Sequence, residues 1–137
     1  MRLSKAVVLA GCGAILAAAG TTWIQAQTPS TAPSQILATD LVNIPGQEAL
    51  FFMADWRPNQ QLPWHAHPEG HEFVYVIQGA VTFEIDGVGS RTVKTGEMLY
   101  VRPDVTHRAQ NAHDGSSRTL VVRIKDKSKP VMVGVPR

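Results

Sequence analysis

The chain is short of cysteine, of clustered charge and of long apolar spans, and each shortage removes a class of protein. Cys12 is the single cysteine among 137 residues, so neither an internal disulfide framework nor a cysteine-rich zinc site can form. The formal net charge is only +2. The one basic stretch, Arg118 to Lys129, is broken by Asp126. Without a basic stripe a nucleic-acid partner has no electrostatic footprint. No segment after residue 35 keeps a helical period, and no internal repeat of the propeller or solenoid kind is visible. Apolar residues make up 44% of the chain and charged residues 18%, a balance that argues against global disorder. The length suits one domain with a short tail and a core that needs no staples.

The first residues read as an address. Arg2 and Lys5 precede an unbroken apolar run, Ala6 to Gly20, and Thr21 to Gln27 turns polar. This order describes a helical secretory signal peptide over residues 1–26, cleaved after Ala26. The run is shorter than the ~20 residues a spanning helix needs. Retention as an anchor, or lipidation of Cys12 in Leu9-Ala10-Gly11-Cys12, are the alternatives. Cleavage removes two of 13 cations and leaves 11 against 11 acids, a net charge of zero. The expected location is periplasmic or secreted. Residues 27–34, rich in Pro, Ser and Thr, read as a flexible linker.

From about Gln35 to Arg137 the pattern is one all-β domain. Short apolar or alternating runs recur: Ala49–Trp56, Leu62–His67, His71–Gln78, Val81–Ile85, Thr92–Lys94, Met98–Val101, Thr106–Ala112 and Thr119–Lys125, with Val131–Val135 as a possible last strand. Val81, Phe83 and Ile85 alternate with Thr82 and Glu84, and Asp86-Gly87 then signals a turn. Many short strands with regular turns indicate a sandwich or barrel.

Four of the five histidines lie in two strand-and-turn segments. In Trp64-His65-Ala66-His67-Pro68-Glu69-Gly70-His71-Glu72, followed by Gly79, His65 and His67 stand two apart and so share a strand face. An acid on the next strand can join them at one ion. The second segment runs from Gly96 through Arg102-Pro103-Asp104-Val105-Thr106-His107 to Asn111 and can bring a further imidazole. Together these segments resemble the two motifs of the cupin superfamily: His65, His67, Glu72 and Gly79 match the first, and Gly96, His107 and Asn111 the second, with sixteen residues between, Ala80 to Thr95. The departures are Asn59 at a usual Gly, Arg102 at a usual Pro and Asp104 at another Gly. They touch turns and leave the four ligand positions intact.

The resemblance implies a double-stranded β-helix, or jelly-roll, barrel in which His65, His67, Glu72 and His107 hold one divalent ion, with pairing into a homodimer a further family habit. Three neutral imidazoles and a carboxylate suit Mn, Fe, Co, Ni, Cu or Zn. One acid against a dication leaves the site about +1 and attractive to an anionic oxygen. The expected function is that of an extracytoplasmic metal-dependent enzyme of oxygenase, isomerase or lyase type, acting on an oxygen-rich or aromatic small molecule. The alternative is a non-catalytic module that binds or senses a ligand or metal. No acid or base other than the ligand Glu72 can be named for catalysis.

Each candidate has a plainer reading. His65 and His67 could be loop residues, Glu72 a solvated acid and His107 a hydrogen-bonded barrel-end residue. His71 should face away from Glu72's side, unless it replaces Glu72 as ligand, and His113 reads as a loop residue. Phe52, Met53, Trp64, Tyr75, Met98 and Tyr100 could line a pocket or simply fill the core. Arg102 and Arg108 could meet a substrate carboxylate or lie solvated on the rim.

Overall fold

The structure is a computed structural model and describes residues 32–137. The proposed signal peptide, Cys12 and most of the linker lie outside the described residues. Ten strands follow in order: β1 (Ser34–Asp40), β2 (Gln47–Trp56), β3 (Gln61–Ala66), β4 (His71–Gln78), β5 (Ala80–Ile85), β6 (Gly89–Lys94), β7 (Met98–Val101), β8 (His107–Gln110), β9 (Ser117–Asp126) and β10 (Val133–Gly134). Among the described residues there is no helix.

The strands form two five-stranded sheets, ordered β1-β2-β9-β4-β7 and β10-β3-β8-β5-β6. All pairings are antiparallel. Consecutive strands repeatedly cross from one sheet to the other, which winds the chain into a double-stranded β-helix. The inner faces meet in one core that includes Trp56, Val74, Val76, Val81, Phe83 and Val101. Strand β5 shows how the sequence sets this: Val81, Phe83 and Ile85 are buried while Thr82 and Glu84 stay partly exposed.

The turns explain the motif departures. Asn59 and Asp104 both have positive φ, 59° and 62°. Asn and Asp tolerate this left-handed region better than other side chains, so each serves where the family more often uses Gly. Gly79 (φ 78°) permits no substitute: an added Cβ would lie 2.3 Å from Ser117 Oγ.

Three strand expectations change. Strand β1 pairs with β2 although all seven of its residues are exposed, so no burial pattern marks it. The last strand shrinks to Val133–Gly134. Tyr75, Met98 and Tyr100 neither fill the core nor line the inner chamber: they lie on the outer face of β4 and β7 because Val74, Val76, Leu99 and Val101 take the inward positions.

Candidate metal centre

Two cross-strand pairs, one from each sheet, face each other at one end of the sandwich. His65 on β3 lies opposite His107 on β8. Glu72 on β4 lies opposite Arg123 on β9. His67 follows directly after β3, and its carbonyl accepts the Gly70 and Asp104 N–H groups that shape the turn. His65, His67, Glu72 and His107 are all at most 3% exposed. Each offers one donor atom, and these atoms lie within 4.8 Å of one another.

The orientation of each imidazole is set by its other nitrogen. His65 Nδ1 bonds to the Pro63 carbonyl at 2.7 Å, His67 Nδ1 to the Val131 carbonyl at 2.6 Å and His107 Nδ1 to the Val105 carbonyl at 2.9 Å. A carbonyl only accepts, so all three Nδ1 atoms carry the proton and donate it. In the neutral ring Nε2 then presents a lone pair. His107 Nε2 is 2.9 Å and His67 Nε2 3.3 Å from Glu72 Oε2. His65 Nε2, His67 Nε2 and Glu72 Oε2 are buried with no hydrogen-bond partner. Lone pairs converging on a carboxylate oxygen repel unless a cation, metal or proton, lies between them. Backbone anchoring of the distal nitrogen is also how metal-bound histidines are oriented.

The charges agree. Burial pushes the His65 ring down to about 4, beyond what the Pro63 carbonyl restores, with His107 and His67 adding to the fall. Burial alone would raise the Glu72 carboxyl, but hydrogen bonding to His107 and His67, available when a proton lies between ring and carboxylate, and the guanidinium of Arg123 outweigh it and hold it well below the usual carboxylate range. At neutral pH the site is therefore an ionised carboxylate beside an imidazole that resists protonation.

Arg123 is the residue the sequence reading passed over. Its Nη2 donates to Glu72 Oε1 at 3.0 Å, which leaves Oε2 to face the histidines. The two-residue period of β9 could have found it: Ser117, Thr119, Val121, Arg123 and Lys125 share one face, and Ser117, Thr119, Val121 and Lys125 are buried. In the basic stretch, Arg118, Lys125, Lys127 and Lys129 pair with Asp55, Glu48, Asp40 and Glu69.

The remaining candidates stand apart from the cluster. His71 is exposed, stacks on Tyr100 and bonds its hydroxyl at 2.7 Å, so Glu72 keeps the inward place. His113 lies in the loop before β9, near Ser117. Arg108 pairs with Glu84 and lies over the Trp64 ring. Arg102 is exposed. Neither arginine lines the chamber.

The chamber beside the cluster is small, about 40 Å³, and is walled by Trp56, Leu62, Val74, Phe83, Ala109 and Val121. It adjoins a wider mouth of about 350 Å³ walled by Phe52, Val131 and Met132, and Leu62, Val121 and Arg123 border both.

Comparison with known proteins agrees with this architecture. The family model described as "Cupin domain" matches residues 52–123. The chain belongs to the cupin family. Protein SchB of Streptomyces halstedii is 39% identical over 64 residues, 47% of this chain and 46% of SchB, so the matched part spans less than half of that relative. An uncharacterized conserved protein with a double-stranded β-helix domain from Klebsiella pneumoniae aligns with a TM-score of 0.64 at 18% identity, over 80% of this chain and 90% of its own. Oxalate oxidase in complex with the substrate analogue glycolate aligns at 0.58 and 23% identity, over 80% of this chain and 58% of its own. At these identities the two structures speak for the cupin fold alone.

Proposed function

We propose that this cupin holds one divalent transition-metal ion on His65, His67, Glu72 and His107 and uses it to act on a small oxygen-bearing molecule. The observation that carries the reading is the set of three Nδ1–carbonyl anchors, which leave the other ring nitrogens free in a buried cluster whose donor atoms, with a Glu72 oxygen, lie within 4.8 Å of one another. Three imidazoles and one carboxylate suit Mn, Fe, Co, Ni, Cu or Zn. When bound, the ion supplies Lewis acidity to a ligand oxygen, and redox capacity if it is a redox metal. The chain's own part is to keep Glu72 ionised, to hold the three imidazoles fixed by their Nδ1 bonds, and to exclude water with the apolar chamber walls.

Oxalate oxidase, which shares the fold, is a cupin-fold enzyme seen with the substrate analogue glycolate, and the enzyme reading takes a small acid or hydroxy compound of that kind as its substrate class. Elemental analysis of the purified protein tests the metal reading: about one ion per chain is expected in the wild type and none in His107→Ala. Metal-loaded protein incubated with carboxylates, enediols and phenols, with and without dioxygen, tests turnover. Extracytoplasmic action rests on residues 1–26, and N-terminal sequencing of the exported protein should begin at Gln27.

One observation favours the alternative, a binding or sensing module. Among the described residues, the chamber contains no ionisable side chain beyond the donors and Arg123, so no separate acid or base stands ready. Ligand binding at micromolar concentration without turnover would select that reading.

A further inference from the structure

Arg123 is built into the site more fully than its bond to Glu72 requires. Its side chain is 12% exposed. The guanidinium lies over the Phe52 ring, 5.5 Å from the centroid. One of its nitrogens, Nη2, is taken by Glu72 Oε1. A second, Nε, is buried with no partner. Leaving a buried donor of a charged group unpaired is costly, and evolution of a mere ion pair would not need it. The same residue borders both the chamber and its mouth. The other mouth residues are apolar: Phe52, Leu62, Val121, Val131 and Met132.

We infer that Arg123 is the anion anchor of this site, and that the ligand carried to the ion is a small carboxylate with an apolar body. The inference rests on the metal reading above and narrows its substrate class. Its chemistry follows from three features. A dication, Glu72 and Arg123 sum to roughly +2 around the chamber, so an anion is drawn in. A guanidinium offers donors in a planar fork that matches a carboxylate, and stacking on Phe52 holds that plane in place. The mouth offers few polar partners for a hydroxyl-rich molecule such as a sugar, but suits an aryl or alkyl group. Its volume, about 350 Å³, is at the lower end of small-molecule sites.

The test uses the zinc-loaded chain, which is diamagnetic, with phenylacetate, its uncharged analogue phenylacetamide, and 4-methylcatechol, which can reach the ion without a carboxylate. In calorimetry the wild type should bind phenylacetate at least about tenfold more tightly than phenylacetamide. Arg123→Met should lower that preference at least about fivefold, the remainder coming from the ion itself, while keeping its zinc and binding 4-methylcatechol within about threefold of wild type. In nitrogen–proton correlation spectra of the wild type, the Arg123 Nε–H resonance should move on saturation with phenylacetate and stay in place with phenylacetamide. Should Arg123→Met lose zinc, Arg123→Lys decides: it keeps a cation beside Glu72, lacks the fork, and should retain zinc with the preference reduced at least about threefold. An undiminished preference in either zinc-loaded variant, an unmoved Nε–H resonance at phenylacetate saturation, or no phenylacetate preference in the wild type overturns the inference while leaving the metal site standing. A wild type that takes up no zinc overturns both.

Discussion

The two ends of the sandwich bury polar side chains in opposite ways. At one end Ser117, Asn111, Thr119 and Trp56 form a closed network. Trp56 Nε1 donates to Thr119 Oγ1 at 3.1 Å, and Asn111 Nδ2 donates to the Arg57 and Gly115 carbonyls at 3.0 and 2.9 Å. The Ala80 N–H donates to Ser117 Oγ at 3.1 Å. His113 joins this end through both ring nitrogens. Its Nδ1 accepts from the Gly115 N–H at 3.0 Å, and its Nε2 lies 3.3 Å from the Ala80 N and 2.9 Å from Ser117 Oγ. At the other end His65, His67, Glu72 and Arg123 each keep a buried polar atom without a partner. A satisfied buried network holds a fold together, whereas a set of orphaned atoms aimed at one another marks a place kept for something else.

The comparison can be broken most forcefully by His107→Ala. Loss of a group that merely orients a ligand already lowers metal affinity by about 10–100-fold, so loss of a ligand should exceed about a hundredfold. Titration calorimetry with zinc measures it, and affinity unchanged within error would erase the distinction between the ends.

Acid should strike the orphaned end first. In metal-free protein the folded His65 ring lies at about 4 against 6.5 unfolded, so the unfolded chain binds that proton more readily. His65 thus contributes stability present above pH 6.5 and lost as pH falls toward 4, up to about 3 kcal/mol. Glu72, held below its usual range, adds a loss in the same direction at still lower pH. Urea unfolding of the metal-free protein at a series of pH values should show this decline, and His65→Gln should flatten the part between pH 6.5 and 4.

Ser117→Ala should do the reverse. It removes the nearer acceptor of the Ala80 N–H and the hydroxyl that donates to the Ala80 carbonyl and Asn111 Oδ1, costing about 1–3 kcal/mol of stability. Metal stoichiometry should stay at the wild-type value. A Ser117→Ala protein that folds as stably as wild type, or that loses its ion, would show the ends are not separable. The smallest effect is expected at His71, next to Glu72 in sequence but on the outer face. His71→Ala should leave zinc affinity within about threefold.

Much of the site was legible because side chains two apart share a strand face and because the glycines of both motifs mark turns: Gly79 and Gly96 do take positive φ, 78° and 84°. The shared face of His65 and His67, the outward place of His71 and the alternation of β5 follow from that period, while Glu72 and His107 were read as donors from the resemblance to the cupin motifs. Three features did not follow. Strand β1 has no buried face to leave a pattern. Arg123 sits among cations that read as a solvated stripe, and its inward turn shows only once β9 is given a register against Glu72. The anchor of His67 is a backbone carbonyl, Val131, 64 positions away, and a carbonyl leaves no mark in a sequence.

X-ray absorption at the zinc edge is the most direct check on the convergence of these side chains. The zinc-loaded wild type should show three imidazole nitrogens at about 2.0–2.1 Å together with oxygen, and His107→Ala no such centre. A shell with fewer than three imidazoles in the wild type, or an identical spectrum from the variant, would contradict that convergence.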